Sequence, residues 1–132
     1  MDLTQSIKDF LEAENKRDWR TVESYLADEC TYQLVGSSEV IRGKRAYINK
    51  MQKTYEQIPD WRFDIKEIFY SQNGVAVEFD GTGHFTGDYM GKRYGNVPLR
   101  LQAICIFVFK GDKIFSEREY WDPEGFEKQL GR

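Results

Sequence analysis

Hydrophobic positions in the first part of the chain repeat at the three- and four-residue spacing of amphipathic helices. One stripe lies within residues 3–11, and a second lies within residues 19–26 after a short polar break. Asp18 stands directly before the second stripe, where an aspartate side chain can cap the first turn of a helix. The pattern therefore predicts two N-terminal helices, the second of which ends at residues 28–29.

A strand and a third helix are predicted next. Apolar and polar residues alternate at residues 30–34, which is typical of a half-buried strand. After a Gly-Ser loop at residues 36–38, apolar residues return to helical spacing between about residues 43 and 59. The first half of the chain thus predicts the order α-α-β-α.

The period changes to two from Trp61 onward, which indicates that strands make up most of the second half. The alternation switches face near residues 66–67, and such a switch predicts a β-bulge. Asn73 and Gly74 form the strongest short hairpin signal in the chain, because both residue types tolerate the positive φ angles of a type I′ turn.

Further strands are predicted at about residues 75–87, 99–109 and 114–122. The intervening residues 88–98 form either a loop or a hairpin extension of the flanking strands. Asp122 precedes Pro123, and this pair predicts the N-cap and the first residue of a short C-terminal helix.

Helices followed by a meander of long strands define the α+β class. We expect a single domain over residues 1–132, with a strongly curved antiparallel sheet and three N-terminal helices that close its concave side. Such an arrangement leaves a central pocket, which is where function is expected to lie.

Composition and charge narrow the choice of partners. Hydrophobic residues make up 40% of the chain and charged residues 31%, a balance that supports a folded core. The formal net charge is −3 without long single-sign blocks, so neither nucleic acid nor a membrane surface is an expected partner. The chain shows no apolar run of about 18 residues and no signal-peptide pattern, so we expect a cytoplasmic protein.

The cysteines and aromatic residues also carry information. Cys30 and Cys105 lie far apart within apolar segments, so we expect buried free thiols with neither a disulfide nor a metal site. Nine Phe, eight Tyr and three Trp are more than a core of this size requires, so some of these rings are expected to line a cavity. No phosphate-binding or dinucleotide-binding motif is present, and no cofactor is predicted.

His84 is the single histidine, within the stretch GTGHFTG, and its imidazole is suited to proton transfer near neutral pH. Strand parity from Val75 places it on the outer face with Glu78 and Asp80, which favours an exposed histidine without a role. A bulge at one of the neighbouring glycines would turn it into the pocket instead. The sequence leaves both alternatives open.

Asp122 also has two interpretations. As the residue before Pro123 it is a preferred helix N-cap. A carboxylate walled by Trp and Tyr would instead have a raised pKa and could act as a general acid or base. Arg118 and Tyr120 share its face of the strand, so they are candidates for contacting the same ligand, together with Trp19, Tyr32 and Phe63.

Four stretches, at residues 18–19, 24–29, 81–87 and 111–122, together with the order of elements, resemble the SnoaL-like polyketide cyclase family. The resemblance extends from about Ser6 to Gly131. It implies the conical α+β fold of the nuclear transport factor two-like superfamily. Residues 88–98 depart from the family pattern because bulky Tyr, Met, Lys and Arg side chains replace a smaller loop.

For function, the resemblance implies an intramolecular aldol condensation without a cofactor, on an aromatic or polyketide-like substrate. The catalytic carboxylate then corresponds to Asp122 and the assisting histidine to His84. A non-catalytic ligand-binding or assembly module of the same fold is the alternative. Epoxide hydrolysis or isomerisation ranks third, and hydrolysis would use Asp122, Arg118 and Asp80.

The strand around residues 99–109 predicts a homodimer. Ile104, Ile106 and Val108 lie on one face, while the other face is also apolar, and a single sheet cannot cover both faces by itself. We therefore expect a second copy to pack on the outer face.

Overall fold

A computed structural model describes residues 2–131. In the described residues four helices lie on or beside a single sheet. Their bounds are α1 Leu3–Asn15, α2 Trp19–Ser24, α3 Lys44–Gln57 and α4 Pro123–Gln129. The strands are β1 Leu26–Leu34, β2 Ile41–Arg42, β3 Arg62–Tyr70, β4 Gly74–Tyr89, β5 Lys92–Lys110 and β6 Lys113–Tyr120.

The sheet has the strand order β2-β1-β6-β5-β4-β3 and remains open. The antiparallel pairing expected from the sequence holds for every pair except β1 and β6, which run parallel. Local turns set the direction of the meander from β3 to β6. No such turn links β1 to β6, so tertiary packing decides that pairing. The α+β cone is therefore as predicted, with a mixed sheet.

The N-terminal elements follow the predicted order with one correction. Asp18 caps α2, since its carboxylate accepts hydrogen bonds from the backbone N–H and the hydroxyl of Thr21 at 3.2 and 2.7 Å. However, α2 ends at Ser24 and β1 already begins at Leu26. The predicted end of this helix at residues 28–29 was wrong, because Leu26, the last apolar residue assigned to it, is buried in the strand.

The hairpins differ from the prediction in their turns. The bulge predicted near residues 66–67 is confirmed by a register shift between Ile65 and Glu67. Residues 71–73 join β3 to β4, but neither Asn73 nor Gly74 has a positive φ, so this is not the type I′ turn that was predicted. Gly74 is instead required by packing, since a Cβ there would lie 2.7 Å from the carbonyl oxygen of Phe107.

Residues 88–98 extend the flanking strands, which was one of the two predicted alternatives. The strands β4 and β5 continue as a hairpin whose two-residue turn is Met90-Gly91. Both turn residues have positive φ angles, 50° and 80°, as a type I′ turn requires. This hairpin projects beyond the core and brings Tyr89 next to Phe126 on α4.

The helices cover the concave face of the sheet. On α1, the buried ring of Phe10 lies 5.9 Å from that of Phe107 and 6.3 Å from that of Tyr47. Cys30 and Cys105 are buried free thiols, as predicted. Among residues 2–131, no helix combines the length and the apolar character needed to cross a membrane.

Candidate functional site

An aromatic cavity of about 370 Å³ lies between the concave face of the sheet, α3 and α4. Its volume falls within the range of small-molecule binding sites. Nine of its 21 lining residues are aromatic, and the rings include Tyr55, Trp61, Phe63, Phe79, Phe85 and Trp121. A ligand of matching size would therefore lose most of its contact with water.

Glu119 is the carboxyl group in the deeper wall of this cavity, and it projects inward from β6. The Cys105 thiol donates a hydrogen bond to its Oε2 over 3.5 Å. Burial raises the pKa of Glu119, while hydrogen bonding from Cys105 and Tyr32 and the charge of Lys50 act in the opposite direction. A carboxyl group in this environment is a stronger base when ionised than an exposed glutamate.

Behind Glu119, two further carboxyl groups meet a single tyrosine hydroxyl. The Tyr47 hydroxyl lies 2.8 Å from Oε1 of Glu14 and 2.7 Å from Oε1 of Glu117. The three side chains come from α1, α3 and β6 and are almost completely buried. We call this group the carboxyl bridge.

Burial dominates the electrostatics of the carboxyl bridge. It raises the pKa of Glu14 to about 7, although the hydrogen bond from Tyr47 lowers that value in part. Burial and the nearby Glu14 hold the pKa of Glu117 well above its usual range. Both groups therefore bind protons more tightly in the folded state than in the unfolded chain.

The cavity carboxyl and the carboxyl bridge are neighbours. Sγ of Cys105 and carboxyl oxygens of Glu117 and Glu119 lie within 4.8 Å of one another. We interpret this spacing as a hydrogen-bonded cluster, because the Tyr47 hydroxyl lies within hydrogen-bond distance of Glu117 and the Cys105 thiol donates to Glu119. That the protein uses no metal and no cofactor stays a prediction from the sequence.

A β-bulge decides which face of β6 points into the cavity. Phe109 pairs with Ile114 but Val108 pairs with Ser116, so Phe115 is an extra residue on β6. In a regular strand, side chains alternate between the two faces, so the buried Ile114 would place residues 116, 118 and 120 on the inner face as well. The extra residue reverses this parity and turns Glu117, Glu119 and Trp121 inward.

The structure does not bring His84 and Asp122 together in one pocket. His84 is exposed on the outer face, because β4 pairs with β5 without interruption from residue 74 to residue 85. Asp122 is exposed at the start of α4, where it holds the N-cap position without a side-chain capping bond. This corrects the expected geometry, and any catalytic role of the two residues stays a prediction.

Of the five residues predicted to contact the ligand, two line the cavity and three do not. Tyr32 and Phe63 line the cavity. Trp19 stands one layer behind it, with its ring 5.4 Å from that of Tyr55. Arg118 and Tyr120 lie on the outer face of β6, and this corrects their expected place, because the bulge turned the opposite face inward.

His84 instead anchors the segment that walls the cavity. Its Nδ1 lies 2.6 Å from Oδ2 of Asp60, and its backbone N–H donates to Oδ1 of the same carboxylate over 2.8 Å. A Cβ at Gly81 would lie 2.2 Å from the Trp61 ring, and one at Gly83 would lie 2.5 Å from Cγ2 of Ile58. The glycines of GTGHFTG thus let residues 58–61 pack directly on β4.

Sequence reasoning missed the buried carboxyl groups. The prediction that Arg118 and Tyr120 face the ligand with Asp122 leaves Glu117 and Glu119 on the opposite face, and Glu14 was not among the candidate residues. One signal in the sequence could have pointed to them. Trp121 has a large apolar ring, and it lies on the same face of the strand as the two glutamates. That signal is weak without knowledge of the bulge at Phe115.

Comparison with known proteins identifies the class. The profile of the SnoaL-like polyketide cyclase family matches residues 3–130, which is nearly the whole chain. The protein belongs to this family. No curated protein sequence matches the chain.

Solved structures agree on the fold. A SnoaL-like polyketide cyclase from Agrobacterium tumefaciens superposes with a TM-score of 0.84 at 17% identity and covers 99% of each chain. An LEH-like epoxide hydrolase from M. tuberculosis gives 0.78 at 22% identity, over 97% of this chain and 88% of that one. An NTF2-like protein of unknown function from Cytophaga hutchinsonii gives 0.73 at 17% identity, over 96% of each. At these identities the similarity establishes the fold alone.

Proposed function

We propose that the protein is a cofactor-free acid–base catalyst that binds a small, largely apolar molecule in the aromatic cavity and moves a proton with Glu119. The observation that carries this proposal is the carboxyl group of Glu119, which burial desolvates in the wall of a cavity of ligand size, whereas the other lining carboxyl group, that of Glu39, is exposed. Shielding strengthens the carboxylate as a base, and the rings around it favour an uncharged aromatic or polyketide-like ligand.

An intramolecular aldol reaction fits these groups. Ionised Glu119 removes a proton from a carbon between two carbonyl groups, and the resulting enolate attacks the carbon of a third carbonyl group in the same molecule. The new C–C bond leaves an alkoxide, which takes the proton back from Glu119. Because such a C–H is already acidic and both reacting groups belong to one substrate, the protein needs to supply position and one proton acceptor.

Ligand binding is the first measurable consequence. Neutral aryl-substituted 1,3-diketones are expected to raise the melting temperature by several degrees at concentrations near 100 times their dissociation constant, an effect of about 2.7 kcal/mol. Ala103 lines the cavity, so Ala103→Leu fills part of it and is expected to weaken this stabilisation. Ala76→Leu makes the same change outside the cavity lining and serves as the matched control.

Differential scanning fluorimetry of the three proteins checks this prediction. If Ala103→Leu and Ala76→Leu respond to the diketones as the unchanged protein does, the ligands do not bind in the cavity. If the diketones bind there but the protein does not speed the exchange of their central C–H protons with D₂O, the protein is a ligand-binding module and the acid–base proposal fails.

We also propose that two copies pair through the outer sheet face. Ile104 on β5 and Tyr120 on β6 are each 41% exposed there. Glu78 lies on one side of this apolar strip and Arg118 on the other, and neither forms a salt bridge within residues 2–131. Opposite charges flanking an apolar strip make the face self-complementary, as a two-fold dimer requires.

Light scattering after size exclusion is expected to give twice the chain mass of 15.6 kDa at micromolar concentration. Ile104→Lys is expected to shift the protein to the monomer, because it places two like charges in the apolar strip. The exposed Ile65 on β3 lies at the distant sheet edge, so Ile65→Lys is the control that leaves the dimer intact. A monomer for the unchanged chain would contradict the proposal.

A further inference from the structure

The carboxyl bridge cannot be built from two carboxylates and a tyrosine alone. A tyrosine hydroxyl carries one hydrogen, so it can donate to one carboxylate at a time. The contacts to Glu14 and Glu117 are both of hydrogen-bond length, 2.8 and 2.7 Å. The second contact therefore needs a hydrogen of its own, and it can come only from a carboxyl group that keeps its proton. The geometry implies one protonated carboxyl group in this bridge.

The surroundings differ at the two ends of the carboxyl bridge. Glu14 is near Arg17, whose positive charge favours an ionised carboxyl group there. Arg17 is held in place by hydrogen bonds from its Nη1 to the backbone carbonyl of Asn15 and from its Nη2 to that of Pro59, each 2.9 Å long. The C-terminal end of α1 and the charge of Glu119 oppose a negative charge at Glu14, while the guanidinium and the hydrogen bond from Tyr47 favour it.

Glu117 has no comparable cation. From β6 it faces the carboxyl group of Glu119, from β5 the thiol of Cys105, and from α1 and α3 the carboxyl group of Glu14 and the hydroxyl of Tyr47. A second negative charge at Glu117 would lie close to that of Glu119 in a site with little water. The remaining cation of the cluster, Lys50, acts on Glu119 from α3.

We propose that above neutral pH the carboxyl bridge keeps one proton on Glu117 and places its negative charge on Glu14, so that Glu119 is the one carboxyl group that gains and loses a proton on the cavity side. Glu117 then donates to the Tyr47 hydroxyl, and Tyr47 donates to Glu14. Glu14, Tyr47 and Glu117 are thus positioning residues for Glu119. This inference rests on the proposed role of Glu119 in catalysis.

Two isosteric variants test where the charge lies. Glu117→Gln and Glu14→Gln each remove one ionisable carboxyl group at nearly constant volume, and an amide can donate to Tyr47 as a carboxylic acid does. Carboxyl chemical shifts of ¹³C-labelled glutamates, followed by NMR from acid to alkaline pH, report each titration directly. The measurement needs neither ligand nor turnover.

The two variants are expected to differ. Glu117→Gln is expected to change the titration midpoint of Glu119 by less than about half a pKa unit, because a neutral amide replaces a neutral carboxylic acid. Glu14→Gln is expected to remove the titration near pH 7, because the pKa of about 7 belongs to Glu14 itself. Tyr47→Phe is expected to raise the Glu14 midpoint, since the hydrogen bond that stabilises the carboxylate is lost.

The opposite arrangement gives the opposite result. If Glu117→Gln lowers the Glu119 midpoint by about one unit or more, Glu117 carried the charge and the inference is overturned. If Glu117→Gln does not fold, the infrared spectrum of the unchanged protein decides. A carboxylic acid carbonyl band that persists above pH 7 supports a retained proton, and its absence refutes one. The proposed function can fail independently of this inference. If turnover survives Glu119→Gln, Glu119 is not the catalytic base, but the glutamate titrations measured in the protein with Glu119 intact keep their meaning.

Discussion

Glu119→Gln is expected to lower turnover of a true substrate by about 100-fold or more, because it removes the group that accepts the proton while keeping the shape of the cavity. Affinity for a non-reacting analogue is expected to change little, since the aromatic wall supplies most of the contact. Initial rates and binding titrations of the same protein preparation separate the two effects. The expected pattern is a lower kcat with a nearly unchanged dissociation constant.

The matched control for this variant is Glu67→Gln. Glu67 is exposed on β3 and is not part of the cavity lining, so the same chemical change there is expected to leave turnover unaltered. A Glu119→Gln protein that folds, binds and turns over at the rate of the unchanged chain would show that another group moves the proton. His84 and Asp122 would then return as candidates.

The second large effect is a loss of stability as the pH rises from about 5 to about 8. The pKa of Glu14 is raised from 4.5 to about 7 in the folded protein, so the folded state holds a proton that the unfolded chain has already released. The stabilising contribution is present below the unfolded pKa and is lost as the pH rises through the folded pKa. For Glu14 it amounts to roughly 3 kcal/mol, and Glu117 and Glu119 act in the same direction.

Urea unfolding at the two pH values measures this effect. Glu14→Gln is expected to match the unchanged protein near pH 5 and to exceed it in stability near pH 8, because an amide has no proton to lose. The lowered pKa values of Asp18 and Asp60 affect stability below the usual aspartate range, so they do not enter this window. Stability that rises between pH 5 and pH 8 would contradict the argument.

Local patterns in the sequence were sufficient for most elements and for the class of fold, but not for the short strand β2 or the end of α2. The helical stripes before residue 60, the cap at Asp18 and the bulge near Ile65 all follow from side-chain periodicity and short-range hydrogen bonding. The resemblance to the SnoaL-like family depended on those elements and a few motifs. Strand parity also favoured the outer face for His84, which is where the structure has it.

The candidate site was beyond the reach of these patterns because it depends on a single inserted residue. Phe115 reverses the parity of β6, and nothing in its neighbours distinguishes it from a regular strand residue. The carboxyl groups of the site were missed for a related reason. A buried glutamate conflicts with the usual preference of charged residues for water, so each looked like a surface residue when considered alone.

The sequence by itself determined the four helices apart from the end of α2, every strand except β2, the α+β class, the free thiols and the abundance of rings, because each depends on residue type and on contacts close in the chain. Tertiary structure alone decided that β1 runs parallel to β6 and that Glu119 points inward. It also decided that Glu14 and Glu117, 103 positions apart, meet at Tyr47. These outcomes depend on which distant segments pack together, and a proton shared between distant carboxyl groups has no signature in local sequence.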